Sequence, residues 1–466
     1  MTRDGTGTNP TQRAVRVSPE DLAEGIAGDE IYALAARLYP INRSITGDGV
    51  RETLRMLGEV APIVTHEVPS GRAVLDWTVP PEWNVREAHI TDSRGRRVVD
   101  VADHTLHLVG YSIAVDRHMT LAELRPHLHA LPDLPDLIPY RTSYYRATWG
   151  FCLTQRQLDS LTDDTYHVVI AATLDPAGAL TYGELVLPGS SNDEVLLSAH
   201  ICHPSLANDN CSGLALLAWL ARHVATRPRR LTYRFVFAPG TIGAIAWLAL
   251  HPTETTRIRH GLVISNVGDG GGPTYKASRT GDALVDRAAR LVLADAGPAA
   301  RVEPFSPYGY DERQYGSPGF NLAVGSFQRS RWGTFPEYHT SADNLDFIRP
   351  EHLERSLRLV TAILDVLEGD ETLVSTQPYG EPQLGRRGLY DDAEGRPLPE
   401  PVRMALLWVL NLADGHHSLL AMAERSGLPF AAIRAAADRL VDARILVPAT
   451  ERSAPMPDDG SNRILT

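Results

Sequence analysis

The sequence predicts an α/β protein in which a β-rich stretch interrupts the main fold and a small helical module follows it. Three observations carry this expectation. From Tyr166 onward, apolar strands alternate with helical patterns, as in a sheet covered on both faces. Between about Pro69 and Asp164 the texture changes to short alternating segments punctuated by Pro and Gly, as in antiparallel β structure. After a Gly/Pro-rich linker at 377–399, residues 400–466 show three short helical patterns separated by turns.

Taken in order, residues 1–17 are polar and rich in Thr and Gly, and are expected to be disordered. Leu22, Ile26, Ile31, Leu34 and Leu38 recur at nearly helical spacing, which predicts a helix over 20–38. Thr46-Gly-Asp-Gly is a turn leading into a second, amphipathic helix. Residues 18–70 are assigned to the main fold and 71–165 to the β-rich insertion, with a short helix at 121–131. The main fold resumes at 166–376. Its strands are YHVVIAATL, EVLLSAH, RLTYRFVFA and GLVISNV, and its helices are SGLALLAWLARHVA, 242–249, ALVDRAARLVLADA and 350–367. The tail MALLWVLNLA, 418–425 and FAAIRAAADRLVDARIL reads as a winged helix.

Composition narrows the function classes. The 466 residues are 43% hydrophobic and 22% charged, ordinary for a globular chain. A formal net charge of −12 disfavours a general nucleic-acid or anionic-membrane binder. The tail has five Arg, no Lys and five acidic residues between 400 and 450, so it lacks a phosphate-neutralising footprint despite its winged-helix pattern. Three cysteines offer no disulfide framework. No early apolar segment suggests a leader, and no run is long enough to span a bilayer. A cytoplasmic protein is expected, with a small-molecule or short peptide-like substrate. A homo-oligomer stays open.

The chemistry concentrates in LLSAHICHPSLANDNCSGLALLAWL, residues 196–220. Here an apolar strand ends in His200, and a turn carries Asp209 into a helix. Asp269 in NVGDGGG and His339 in EYHTSADNLD also fall at strand ends or in tight loops. Two imidazoles and two carboxylates suit one zinc ion, or a pair bridged by a carboxylate. GDGGG at 268–272 lacks the Lys-Ser/Thr of a phosphate loop and reads as room for close approach. Tyr144, Tyr145, Trp149 and Phe151 have the spacing of a β core. Lys276 and Arg279 are candidates for a substrate carboxylate.

AHICHPSLANDNCSG resembles the metal motif of the zinc aminopeptidases, the di-zinc exopeptidases that include glutamate carboxypeptidase. LYPINRSITGDGVRETL, DWTVPPEWNVREAHI, IPYRTSYYRATWGFCL, DERQYGSPGFNLAVGS and FPEYHTSADNLDFI are similar to a bacterial aminopeptidase-like subfamily with an inserted β domain and a C-terminal winged helix. The resemblance implies a zinc-exopeptidase-like mixed sheet flanked by helices. It places a first metal on His200, Asp209 and Asp269, and a second, incomplete site on Asp209 and His339.

The chain departs from the broader family at three places. Cys202 stands where that family has Asp, and Gly240 and Thr241 replace an adjacent Glu-Glu pair. The first of those glutamates is the general base, and glycine cannot move a proton. Candidate substitutes are Glu312, placed first, then Asp311, Glu337 and His203, with His203 alternatively an extra ligand and Cys202 a ligand for a soft metal. The leading expectation is a zinc-dependent amide hydrolase. The alternatives are a non-hydrolytic step such as amide formation or transfer, and a metal-stabilised binding or regulatory protein.

Overall fold

The computed structural model describes residues 26–162, 164–391 and 395–450. The expected disordered tail at 1–17, the beginning of the first helix and the residues after 450 lie outside them. The chain divides into two compact units, with the boundary after Thr361.

The first unit is built on an eight-stranded sheet. Its strand order is Val64–Pro69, Ala179–Leu187, Thr232–Ala238, Glu194–His200, Ile258–Ile264, Val324–Gln328, Thr274–Lys276 and Arg301–Glu303. The four strands from Thr232–Ala238 to Val324–Gln328 run parallel. The Val64–Pro69, Ala179–Leu187 and Thr274–Lys276 strands each join antiparallel to a neighbour, so the sheet is mixed. Every residue of Glu194–His200 and of Thr232–Ala238 is buried. That explains why both read as predominantly apolar runs in the sequence. Helices Gly213–Ala225, Ile242–Leu250 and Leu284–Ala294 follow these strands as the sequence predicts.

One polar cluster is set into this interior. Arg234 donates from Nε to Glu194 Oε2 at 2.7 Å and from Nη1 to Glu184 Oε1 at 2.7 Å. Trp247 Nε1 adds a bond to the same Glu184 oxygen at 2.9 Å. Removing the cation leaves two buried carboxylates facing each other. Arg234→Ala should therefore destabilise the first unit by about 3–5 kcal/mol. Urea unfolding followed by tryptophan fluorescence checks this, and a midpoint within error of wild type would contradict it.

The insertion forms a four-stranded antiparallel sheet in the order Arg97–Asp100, Glu82–Thr91, Thr165–Asp175, Val115–Thr120. Thr165–Asp175 corrects the sequence reading, which made it the first strand of the main sheet after a boundary at 165. Its residues alternate between buried and half-buried, the pattern of a strand with one solvated face. The chain rejoins the main sheet only at Ala179–Leu187. The insertion has no separate core. One hydrophobic cluster joins its Trp83, Ile90, Phe151 and Tyr166 to Leu196, Val236 and Ile245 of the main fold.

The helix expected over 121–131 is shorter. Thr120 and Glu123 form a capping box that starts Leu121–Leu124. A single 3₁₀ turn containing Pro126 then ends it, because proline lacks the amide that the next helical turn needs.

In the second unit, Asp414–Ser418, Thr372–Ser375 and Leu446–Pro448 form an antiparallel sheet beside helices Glu400–Leu412, Leu419–Ser426 and Phe430–Asp442. Thr372–Ser375 is the central strand, so this module begins before the linker rather than at residue 400. The middle helix is capped by Ser418 and stopped by Gly427 at φ 68°, a conformation suited to glycine. Among the described residues, no helix is long and apolar enough to cross a membrane.

Candidate metal centre

The site grows from the carboxyl end of the Glu194–His200 strand, where residues of a parallel sheet are free to face a ligand. The turn Ala207–Ser212 then carries Asp209 back over His200 before helix Gly213–Ala225 begins. Asn210 locks the turn to the sheet, with its amide donating to His200 O at 3.3 Å and Ile264 O at 3.2 Å. Gly213 permits this approach, since a Cβ there would lie 2.2 Å from Asn210 Oδ1 and 2.7 Å from Ile264 O. Asp343 anchors the other side, accepting from the Asn208 and Asp209 amides at 2.6 and 3.0 Å. The sequence reading quoted this residue's motif without seeing its role.

Donor atoms of His200, His203 and Asp209 all lie within 4.8 Å of one another. Asp209 is fully buried; its Oδ1 is 2.8 Å from His200 Nε2 and its Oδ2 is 3.1 Å from His339 Nε2. One carboxylate thus faces an imidazole from each oxygen. Burial alone would raise the Asp209 pKa, but His203 and the hydrogen bonds from His200 and His339 hold it well below the usual carboxylate range. Burial also drives His203 well below the ordinary imidazole value, which favours the neutral form that binds metals. His339 has a positive φ of 56°, a strained conformation for a residue with a side chain.

The insertion takes part in holding His339. Tyr140 N donates to His339 O at 2.8 Å, Pro139 and Thr340 form a β-bridge, and Ser341 N bonds Ile138 O at 2.9 Å. The Tyr140 ring lies edge-on to His339 at 5.0 Å and tilted against His203 at 4.9 Å. Tyr310 was not singled out from the sequence. Its ring stacks on His200 at 4.5 Å and its hydroxyl donates to Asp209 Oδ2 at 3.0 Å.

Asp269, expected as a first-site ligand, lies outside that group of donors. Its carboxylate accepts from Asn208 Nδ2 at 2.8 Å, Gly271 N at 2.6 Å, Ser330 Oγ at 2.6 Å and Ser330 N at 3.2 Å. With both oxygens occupied, it holds Asn208, the neighbour of Asp209, and acts as a positioning residue. Cys202 lies outside this group of donors. Its thiol is 3.3 Å from His203 Nδ1 and donates toward Gly240 O at 3.6 Å, and burial pushes its pKa up to about 12.

The candidate bases separate clearly. Glu312, placed first from the sequence, is held through Oε1 in a buried ion pair with Lys276 Nζ at 2.8 Å, while its Oε2 has no hydrogen-bond partner among the described residues. The same pair removes Lys276 as a free grip for substrate, and Arg279 donates to Asn321 Oδ1 at 2.6 Å. Glu337 meets its surroundings through its carbonyl, which accepts from Thr340 N and Oγ1. Its carboxylate makes no hydrogen bond or ion pair to the site among the described residues.

Asp311 is different. It is fully buried, and among the described residues neither carboxylate oxygen has a hydrogen-bond partner. Burial pushes its pKa up to about 7, against the pull of His200. A Cβ built on Gly240 would lie 3.1 Å from His200 Cβ and 3.6 Å from Asp311 Oδ1. A side chain at position 240 would therefore face the Asp311 carboxylate.

Residues 32–370 match the family described as a domain of unknown function, DUF4910. The chain belongs to this family. Residues 371–448 match a winged helix-turn-helix family. A Clostridium acetobutylicum protein, provisionally named for polysaccharide biosynthesis and an aminopeptidase-like domain, is 45% identical over 419 residues, covering 90% of this chain and 96% of that protein. A crystal structure from the same organism, provisionally described as a peptidase, superposes with a TM-score of 0.87 at 43% identity, over 92% of this chain and 100% of that one. A zinc aminopeptidase from Bacillus subtilis shares the fold with a TM-score of 0.53 at 13% identity, over 72% of this chain and 94% of that one. This DUF4910 member is thus an aminopeptidase-like protein with a zinc-aminopeptidase fold and a C-terminal winged helix.

Proposed function

We propose that this protein is a zinc-dependent hydrolase of an amide bond in which Asp311 performs the proton transfer assigned elsewhere to glutamate. The observation that carries this reading is the buried, unpartnered Asp311 carboxylate facing the space above Gly240. An unpaired buried carboxylate is costly to a fold, and such groups concentrate at functional sites.

The donors fit zinc, because three imidazoles and one ionised carboxylate match its preference for nitrogen and oxygen ligands. His200, His203, Asp209 and His339 would hold a single ion. Asp269 is committed to other partners, and Gly240 and Thr241 bring no carboxylate for a second. When bound, zinc supplies Lewis acidity at a carbonyl oxygen. Asp311 accepts a proton from the attacking water and returns it to the departing amine, so no net proton is consumed. Tyr310 keeps the Asp209 carboxylate in place by donating to its Oδ2. Tyr140 and Tyr310 wall the site with aromatic surface.

The substrate class is a small biosynthetic intermediate bearing an amide, in keeping with the name of the Clostridium relative. The three cysteines are all free and buried, which suits a cytoplasmic enzyme. The balanced charge of the winged helix favours a packing or dimer-contact role over nucleic-acid binding.

Purified protein should carry about one equivalent of zinc, melt at higher temperature when zinc is added, and hydrolyse aminoacyl amides. Elemental analysis, thermal denaturation and a chromogenic amide assay measure these. Less than half an equivalent of metal together with an unchanged melting temperature would refute the proposal.

A further inference from the structure

A second gathering of polar groups lies beyond the carboxyl ends of strands Ile258–Ile264 and Val324–Gln328, separated from Asp209 by the Asn208–Asp269 pair. Arg329 N donates to Asn266 O at 2.8 Å, which sets the two residues side by side. Arg329 is 4% exposed, and its Nε and Nη1 have no hydrogen-bond partner. Asn266 is 0% exposed, and both atoms of its carboxamide are also unpartnered.

His352, near the start of helix Pro350–Gly369, is the third member. Its ring bonds the backbone of Gly268, and its Nδ1 has no partner. Gly270 is exposed, and a Cβ added there would meet only His352 Cε1, at 3.5 Å, so the cluster opens toward this glycine.

Asp269 attracts Arg329, but both Asp269 oxygens already serve Asn208, Gly271 and Ser330. Arg355 adds further positive charge nearby, burial holds His352 toward its neutral form, and Glu351, the other acid acting on His352, is exposed. Among the described residues, Arg329 forms no ion pair. A buried guanidinium with two unpartnered nitrogens, whose attracting carboxylate is bonded elsewhere, favours an anion. The amino end of the 20-residue helix favours negative charge at the same place.

We infer that Arg329, Asn266 and His352 form an oxyanion site for a phosphoryl group, distinct from the metal centre. Donors from Arg329 and Asn266, with His352 Nδ1 placed to accept the hydroxyl of a monoprotonated phosphoryl group, suit a tetrahedral anion better than a planar carboxylate. The group can come from free phosphate or from a phosphorylated small molecule, since the recognising chemistry is shared.

The test is thermal denaturation of the full chain in inorganic phosphate against chloride at equal ionic strength. Wild type should melt about 2–4 °C higher in phosphate, with a saturable dependence on concentration. Arg329→Gln should abolish that shift. His352→Ala, at a half-buried position, should weaken it at least several-fold and keeps the test decisive if the first variant does not fold. Glycerol phosphate run in parallel shows whether an esterified phosphoryl group is taken as well as the free ion. No phosphate-specific shift in wild type, or an undiminished shift in these variants, would overturn the inference.

Discussion

Asp311→Asn should lower kcat for amide hydrolysis by about 10² to 10⁴, the usual contribution of a positioned general base. Zinc content should stay at the wild-type level, because Asp311 is not among the clustered donors. The melting temperature should hold or rise, since the substitution removes an unpartnered buried charge. This combination is diagnostic: a structural carboxylate would lose stability on substitution, and a ligand would lose metal. Gly240→Glu provides the complementary test. Its new side chain would enter beside Asp311 Oδ1, 3.6 Å from the added Cβ, and set two carboxylates against each other. No gain is therefore expected in the wild-type background. In an Asp311→Ala background the glutamate has room, and activity should recover by about tenfold or more. A large gain from Gly240→Glu alone, or full activity in Asp311→Asn, would show that Asp311 is not the base.

Asp209→Asn should abolish zinc binding, and His203→Ala should weaken it by more than a hundredfold or so, beyond the range usual for outer-layer partners. Asp269→Asn should weaken binding only about 10- to 100-fold, with one equivalent still bound at saturation. The distinction rests on contacts. Asp209 faces His200 and His339 directly, whereas Asp269 reaches the centre only through Asn208. Cobalt-substituted protein supplies a readout that a merely structural role would not move. The visible absorption of bound cobalt should change in His203→Ala and persist in Asp269→Asn. The reverse pattern would restore Asp269 as a ligand.

The sequence made the framework legible because the framework is local. His200 ends an apolar run, Asp209 sits in an Asn-Asp-Asn turn, and His339 lies in a distinctive motif. The fates of the neighbouring acids are set by residues distant in the chain. Asp269 is claimed by Asn208 and Ser330, and Glu312 by Lys276. Asp311 and Glu312 are adjacent, yet one faces Gly240 and the other the Lys276 ammonium. No pattern within GYDERQY separates them, because consecutive residues at a helix start point in different directions. The strand at 165–175 was misplaced for a related reason. A short apolar run looks the same whether its partners are parallel core strands or antiparallel neighbours.

The bridge between Pro139 and Thr340 gives the insertion a role beyond its own sheet. The segment after His339 is stitched to residues 138–140 by backbone hydrogen bonds, in the same place where His339 adopts its left-handed backbone. Cutting the insertion away would remove those bonds and release that histidine to relax. The main fold therefore depends on the insertion for the placement of His339.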